Sequence, residues 1–324
     1  MNRNVTLSSQ STRSKRIMLR LCEFLLALFV TTGMAHAQVP AAAAPQYVRA
    51  SMEIETRSPA PGDIVTVAIV MDPKPGWHDY WENPGDAGTP LELAWQLPAG
   101  ITAGPLRAPV PDTLIVSGFM NHIYKSKHAF LVDLKIPDSA IVGQNLAIKV
   151  DARWSACSDL VCVPESATLS VPITVGAGSI GKSDRAGFDA WRSALPVPLD
   201  RKARYTIQGN RIDIAIPYPR SADADRVWFF AESENLFRYA APQSARRTGD
   251  WLIVSSEVKE PFAGEIEGLL RFNDAQGLDV RATPGDIPTG GAAISVLGKG
   301  AAIEGQETPL SFGWILAFSV LCGL

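Results

Sequence analysis

Two cysteines, Cys157 and Cys162, share the stretch RWSACSDLVCVPES, Arg153 to Ser166. The other two, Cys22 and Cys322, lie near the ends of the chain. The pair is open to three chemistries: a structural bridge, a metal clip, or a dithiol that opens and closes. Structural zinc takes four ligands, often as two paired sets. Between residues 38 and 309 the chain offers this pair and His78, His122 and His128. A copper or zinc site would have to add His122 and the soft ligand Met120 from FMNHIY. A bridge closing a loop of roughly six residues stabilises by about 2 kcal/mol, against about 4.7 for a 100-residue loop. That is a weak staple for a whole domain, and it favours a working redox pair. Ser155, Ser158 and Asp159 make the surroundings polar and reachable for in-line attack by a thiolate. Trp154, Val163 and Pro164 are placed to shape one wall. Arg153 is the only basic neighbour, so charge alone supplies no strongly lowered thiol pKa.

A second unusual stretch is PGWHDYWENPGDAGTP, Pro75 to Pro90. Trp77, His78, Tyr80 and Trp81 crowd together there. They read as an aromatic docking surface or sugar-stacking platform, or else as a plug at one end of a sandwich. A third, GAGSIGKS at 176–183, fits the phosphate-loop pattern G-x-x-x-x-G-K-S. Pro172 in the preceding strand marks an edge strand, not the central parallel strand such a loop needs. The stretch reads as a hinge.

The elements that must position these residues are strands. VRASMEIET, DIVTVAIVM, LELAWQL, AFLVDLKI, NLAIKVDARW and ATLSVPITV are rich in alternation, and Pro- and Gly-rich turns separate them. This predicts an all-β chain with a first β-sandwich over 46–176. A linker at 177–199 carries a short helix, RAGFDAWRSAL, stopped by Pro196 and Pro198. A second β-sandwich over 200–285 draws on YTIQGNRIDIAIP, RVWFFAES, DWLIVSSEV and EIEGLLRFND. A Gly- and Ala-rich linker covers 286–309.

The ends speak to location. Arg3, Arg13, Lys15, Arg16 and Arg20 precede LCEFLLALFV and then AHA. This reads as a secretory signal over 1–37, followed by a tether at 38–45. Cleavage takes five basic groups and one acid from a chain of net charge −3 and leaves −7. Export puts the cysteine pair where disulfides persist. Residues 310–324 are apolar and uncharged, and read as the start of a truncated transmembrane segment. With 19% charged residues and no basic excess, composition makes no case for nucleic acid.

Several stretches, in order, resemble one family: WHDYWENPGDAGTP, LPAGITAGPLRAPVP and ARWSACSDLVCVPE, then VWFFAESENLFRYAAPQ and LSFGWILAFSVLCGL. They are similar to the N-terminal periplasmic region of the DsbD family of transmembrane thiol:disulfide reductases, and to its ScsB (suppressor of copper sensitivity) branch in particular. The resemblance implies that the first sandwich is immunoglobulin-like and carries a redox pair, Cys157 and Cys162, with no cofactor. It implies Cys162 as the attacking sulfur and Cys157 as the resolving one. The best-known members have one more residue between the cysteines; the ScsB-like branch has this spacing. They also have an aromatic cap loop, for which Ser117 to Lys127 is the candidate here, with Phe119, His122 and Tyr124. The implied partners are a thioredoxin-like C-terminal domain of the same full-length protein and periplasmic thioredoxin-fold substrates. These include disulfide isomerases and cytochrome-maturation or copper-tolerance proteins. The implied place is the periplasm, anchored in the inner membrane. Two readings of other classes stand beside this one. One is a copper-binding module using the thiols with Met120, His122 or His128; the other is a structural or sugar-binding sandwich with an inert disulfide.

Overall fold

A computed structural model describes residues 46–273 and 276–297. The signal, the tether and the C-terminal apolar segment lie outside the described residues. Among the described residues no helix is long and apolar enough to cross a membrane.

The first sandwich is built from two antiparallel sheets. One runs β1-β2-β8-β5, with β1 Val48–Ile54, β2 Ile64–Pro73, β5 Thr102–Ala103 and β8 His128–Lys135. The other runs β10-β9-β4, with β4 Glu92–Gln96, β9 Asn145–Cys157 and β10 Cys162–Thr174. Alternation sends Val67, Ile69, Met71, Phe130 and Val132 of the first sheet into a common core with Ile148, Val150, Trp154 and Val171 of the second. β2 is buried on both faces, so its apolar run is almost unbroken. Its outer residues Ala68 and Val70, with Ala129 and Leu131 of β8, lie under Phe188 of helix α1, Lys182–Ser193. The helix expected in the linker therefore exists and starts three residues earlier. It is packed against the sandwich and pinned by an ion pair from Arg192 to the buried Glu55. β10 is an edge strand, as Pro172 implied.

A third sheet, β3-β7-β6, was not foreseen: β3 Asp79–Gly85, β6 Asp112–Val116 and β7 Phe119–Tyr124. β3 holds Pro84 and Gly85 and has a register break between Tyr80 and Gly85, so it lacks the regular period of a strand. β6 and β7 form a hairpin through Ser117 and Gly118, both at positive φ.

The second β-rich part holds β11 Val197–Pro198, β12 Ala203–Gln208, β13 Arg211–Pro217, β14 Arg226–Ala231 and β15 Ser244–Thr248. It continues with β16 Trp251–Glu257, β17 Ile266–Phe272, β18 Gln276–Pro284 and β19 Ala292–Val296. β19 falls inside the stretch read as linker. The order is β11-β18-β12-β13-β16-β15-β19-β14-β17, and β17 pairs back onto β18, so the ladder closes on itself.

The two parts share one hydrophobic cluster. Trp81 and His122 of the third sheet meet Phe230 edge-on at 5.7 and 4.9 Å. Asn83, fully buried, donates from Nδ2 to Ala231 O at 2.7 Å and to the Tyr239 hydroxyl at 2.8 Å. Asn83→Ala leaves these acceptors without their donor in a dry place. The expected loss is about 2–3 kcal/mol in urea unfolding; unchanged stability would remove Asn83 as the tie between the two parts.

Beside this junction lies a cleft of about 470 Å³ lined by Glu82, Arg107, Glu232, Asp279 and Arg281 among others. Desolvation, then Glu232 and Asp279, pushes the Glu82 carboxyl up to about 7. Burial also raises Glu232 and Asp279, with Arg281 opposing. A carboxyl raised in the folded state binds more protons there than when unfolded, so stability falls as pH rises through the window from about 4.5 to 7. Melting temperature should drop across that window, and Glu82→Gln should flatten the drop; an equal drop in the variant would assign it to other groups.

Candidate functional site

Cys157 ends β9 and Cys162 begins β10, and the two face each other as the last pair of a long antiparallel ladder. They form a disulfide with an S–S distance of 2.05 Å and a Cα–Cα distance of 4.0 Å. The turn between them is closed by Ser158 N–H donating to Val161 O at 2.8 Å. The Ser158 hydroxyl oxygen accepts from Leu160 N–H and Val161 N–H, each at 3.3 Å. The other edge of Cys157 is engaged as well. His78 N–H donates to Cys157 O at 2.8 Å, and Cys157 N–H donates to His78 O at 2.9 Å. The two sulfurs are therefore unequal in access. Cys157 is 1% exposed, whereas Cys162 is exposed.

Beneath the bridge is a small cluster of Cys157, Tyr80 and Ile123, with Leu114 packed against it. The Tyr80 hydroxyl lies 3.8 Å from Cys162 Sγ, and His78 Nε2 lies 3.3 Å from that hydroxyl. Burial, then the charge of Asp79, pushes the Tyr80 phenol up to about 12, so it stays a neutral O–H near pH 7. Burial, then Lys125, lowers His78, so its ring is neutral there too. A thiolate formed at Cys162 would meet a neutral hydroxyl donor. Such a hydrogen bond favours the charged form and lowers the thiol pKa. Gly88 keeps Tyr80 in place: it sits at φ +94°, and a Cβ there would lie 2.3 Å from the phenol ring. This accounts for the second glycine in NPGDAGTP. Next to this floor, Asp79 Oδ2 lies 3.2 Å from His128 Nε2, poorly aligned for a hydrogen bond.

Of the four aromatic-stretch residues read as a docking surface, three are buried: His78, Tyr80 and Trp81. Trp77 is half-buried and stacked on Tyr47 at 3.7 Å. The stretch thus divides by side. His78 and Tyr80 floor the disulfide, and Trp81 faces the second part. None of the three presents an open face for a sugar. The cap-loop residues divide too. On β7, Ile123 points to Cys157, so His122 and Tyr124 point away. His122 is buried, its Nδ1 2.8 Å from Asn83 O, and burial lowers its pKa to about 4. The Tyr124 hydroxyl donates to Pro109 O at 2.6 Å, and its ring stacks on His128. Neither covers the bridge. Phe119 is exposed at the hairpin end, on Ile123's face but about 13 Å along the strand. Ile123 and Leu114 were missed, because β6 and β7 were not recognised as strands.

Glu165, of the VPE run after Cys162, is structural. Its carboxylate accepts Tyr47 N–H at 2.5 Å, Val48 N–H at 3.1 Å and Trp154 Nε1–H at 3.1 Å. The amides of Gly176 and Gly178 donate to Pro59 O and Ser58 O, so the phosphate-loop look-alike spends its amides within the fold. Among the described residues no three His, Cys, Asp or Glu side chains gather as a metal site. Met120, His122 and His128 do not join the cysteines.

Residues 46–173 match the family model for Thiol:disulfide interchange protein DsbD, N-terminal. In fold the chain is similar to the N-terminal periplasmic domain of ScsB from Proteus mirabilis. The TM-score is 0.55 at 16% identity, covering 74% of this chain and 93% of that one. The major pilin subunit BcpA of Bacillus cereus aligns over 78% of this chain and 67% of its own, at 6% identity and TM-score 0.25. No curated protein matches the chain.

The hydroxyl beneath the sulfurs has a measurable consequence. In the reduced protein, Tyr80→Phe should raise the Cys162 thiol pKa by up to about one unit, the worth of one hydrogen bond to a charged group. The pH dependence of alkylation reads this directly. An unshifted profile would leave Tyr80 a packing residue only.

Proposed function

We propose that this chain, whose residues 46–173 belong to the N-terminal region of the DsbD family, is the periplasmic electron relay of a membrane thiol:disulfide interchange protein. It takes two electrons from a protein dithiol and hands them to thioredoxin-fold partners. The dithiol would be the thioredoxin-like C-terminal domain of the full-length protein. The receiving partners would include disulfide isomerases and cytochrome-maturation or copper-tolerance proteins. The observation that carries this reading is the unequal access of the two sulfurs at the end of a rigid hairpin.

In the receiving step, a donor thiolate attacks Cys162 Sγ and Cys157 leaves as a thiolate that takes up a proton. The donor's second thiol then displaces Cys162, so the donor is oxidised and the pair reduced. In the delivering step, the Cys162 thiolate attacks a partner disulfide and expels one partner sulfur. Cys157 then attacks Cys162 Sγ, re-forming the bridge and releasing the partner's second sulfur. The Tyr80 hydroxyl holds the Cys162 thiolate through both steps, and His78 orients the hydroxyl. The sandwich need not open, because the β9–β10 ladder continues beyond the bridge to Thr174 and Asn145.

Single replacements test the roles. Cys157→Ser should accumulate a mixed disulfide through Cys162, visible as a mass adduct with a thioredoxin-fold partner. Cys162→Ser should form none and lose exchange. Both should keep a cooperative melt, since the bridge contributes only about 2 kcal/mol. Full exchange by both variants would sink the relay reading.

A further inference from the structure

The most exposed large apolar side chain among the described residues sits beside the reactive sulfur. Leu160 is 95% exposed and Val161 is 50% exposed. An exposed leucine alone says little. Here three observations give it meaning. The turn is held by the Ser158 bonds described above, so the side chain is presented rather than loose. Leu160 and Val161 are two and one residues from Cys162, within about 8 Å along the chain. A partner forming a mixed disulfide must bring a sulfur to bonding distance of Cys162 Sγ, and its surface then covers both side chains. Asp159 adjoins Leu160 in the chain and Lys125 acts on His78 beneath the bridge, so charges of both signs lie near the disulfide.

We infer that Leu160, with Val161, is the specificity contact of the relay: it selects a folded partner whose reactive cysteine is rimmed by apolar surface. The inference rests on the redox reading above and names the partner surface that reading leaves open. Burying one leucine is worth about one to two decades in affinity or rate. A small dithiol has no rim and forgoes this gain. The discrimination is therefore between protein and small-molecule donors, not between reactive and unreactive sulfurs.

The experiment compares two reductants of the Cys157–Cys162 disulfide in the full chain: reduced thioredoxin and dithiothreitol. In each, a thiolate attacks Cys162 Sγ, Cys157 leaves, and the reductant's second thiol closes its own disulfide. Leu160→Ser should slow the thioredoxin reaction at least tenfold and leave the dithiothreitol reaction within twofold. Leu160→Met, which keeps the apolar surface, should restore the thioredoxin rate. Equal thioredoxin rates in wild type and Leu160→Ser would overturn the inference while the redox reading stands. So would a parallel loss with both reductants, which would place the effect on the sulfur rather than on docking. A wild-type chain reduced by dithiothreitol but not by thioredoxin also overturns it. A bridge that neither reductant opens overturns the redox reading itself.

Discussion

Two backbone hydrogen bonds between His78 and Cys157, at 2.8 and 2.9 Å, join the start of β3 to the end of β9. Much of the molecule follows from that weld. Once His78 is fixed beside Cys157, the two-residue period of a strand decides the next side chains. Tyr80 falls beneath the sulfurs, while Trp81 and Asn83 fall toward the second β-rich part. β7, paired to β3, repeats the division with Ile123 on one side and His122 on the other. One small sheet therefore floors the disulfide with one face and binds the second part with the other.

This arrangement separates reactivity from stability. The bridge lies at the end of a ladder that is complete without it, and its backbone neighbours are satisfied by His78 and by the Ser158 turn. Breaking the S–S bond costs little order, since the loop it closes is short. The local chemistry is neutral. A phenol hydroxyl beside a neutral imidazole lies against the sulfurs. Burial encloses Cys157, whereas Cys162 is exposed. The second part buttresses the floor sheet from behind, and its closed ladder leaves few free strand edges.

Of the strands of the two main sheets, β1, β4, β9 and β10 were legible from alternation, and β2 and β8 from apolar runs between turn signals. The short helix was legible from its proline stop, although its role as cover for β2 was not. β3, β6 and β7 were illegible for a physical reason. They are short, interrupted by Pro84, Gly85 and the Ser117–Gly118 turn, and buried by residues distant in sequence. The aromatic stretch left its two readings, docking surface and plug, open for the same reason. Four aromatic rings in five positions look like a surface until Tyr47, Phe230 and the disulfide itself are seen to cover them.

What the residues alone determined was the pair: two cysteines in a β-rich chain, too close in sequence to matter as a staple, within motifs similar to a redox family. That inference needs only chain entropy and pattern. Tertiary structure alone decided which sulfur is accessible, which hydroxyl lies against it, and which aromatics belong to the floor rather than the surface. Those depend on β3 crossing to meet β9 from about 80 residues away, a pairing that no local propensity encodes.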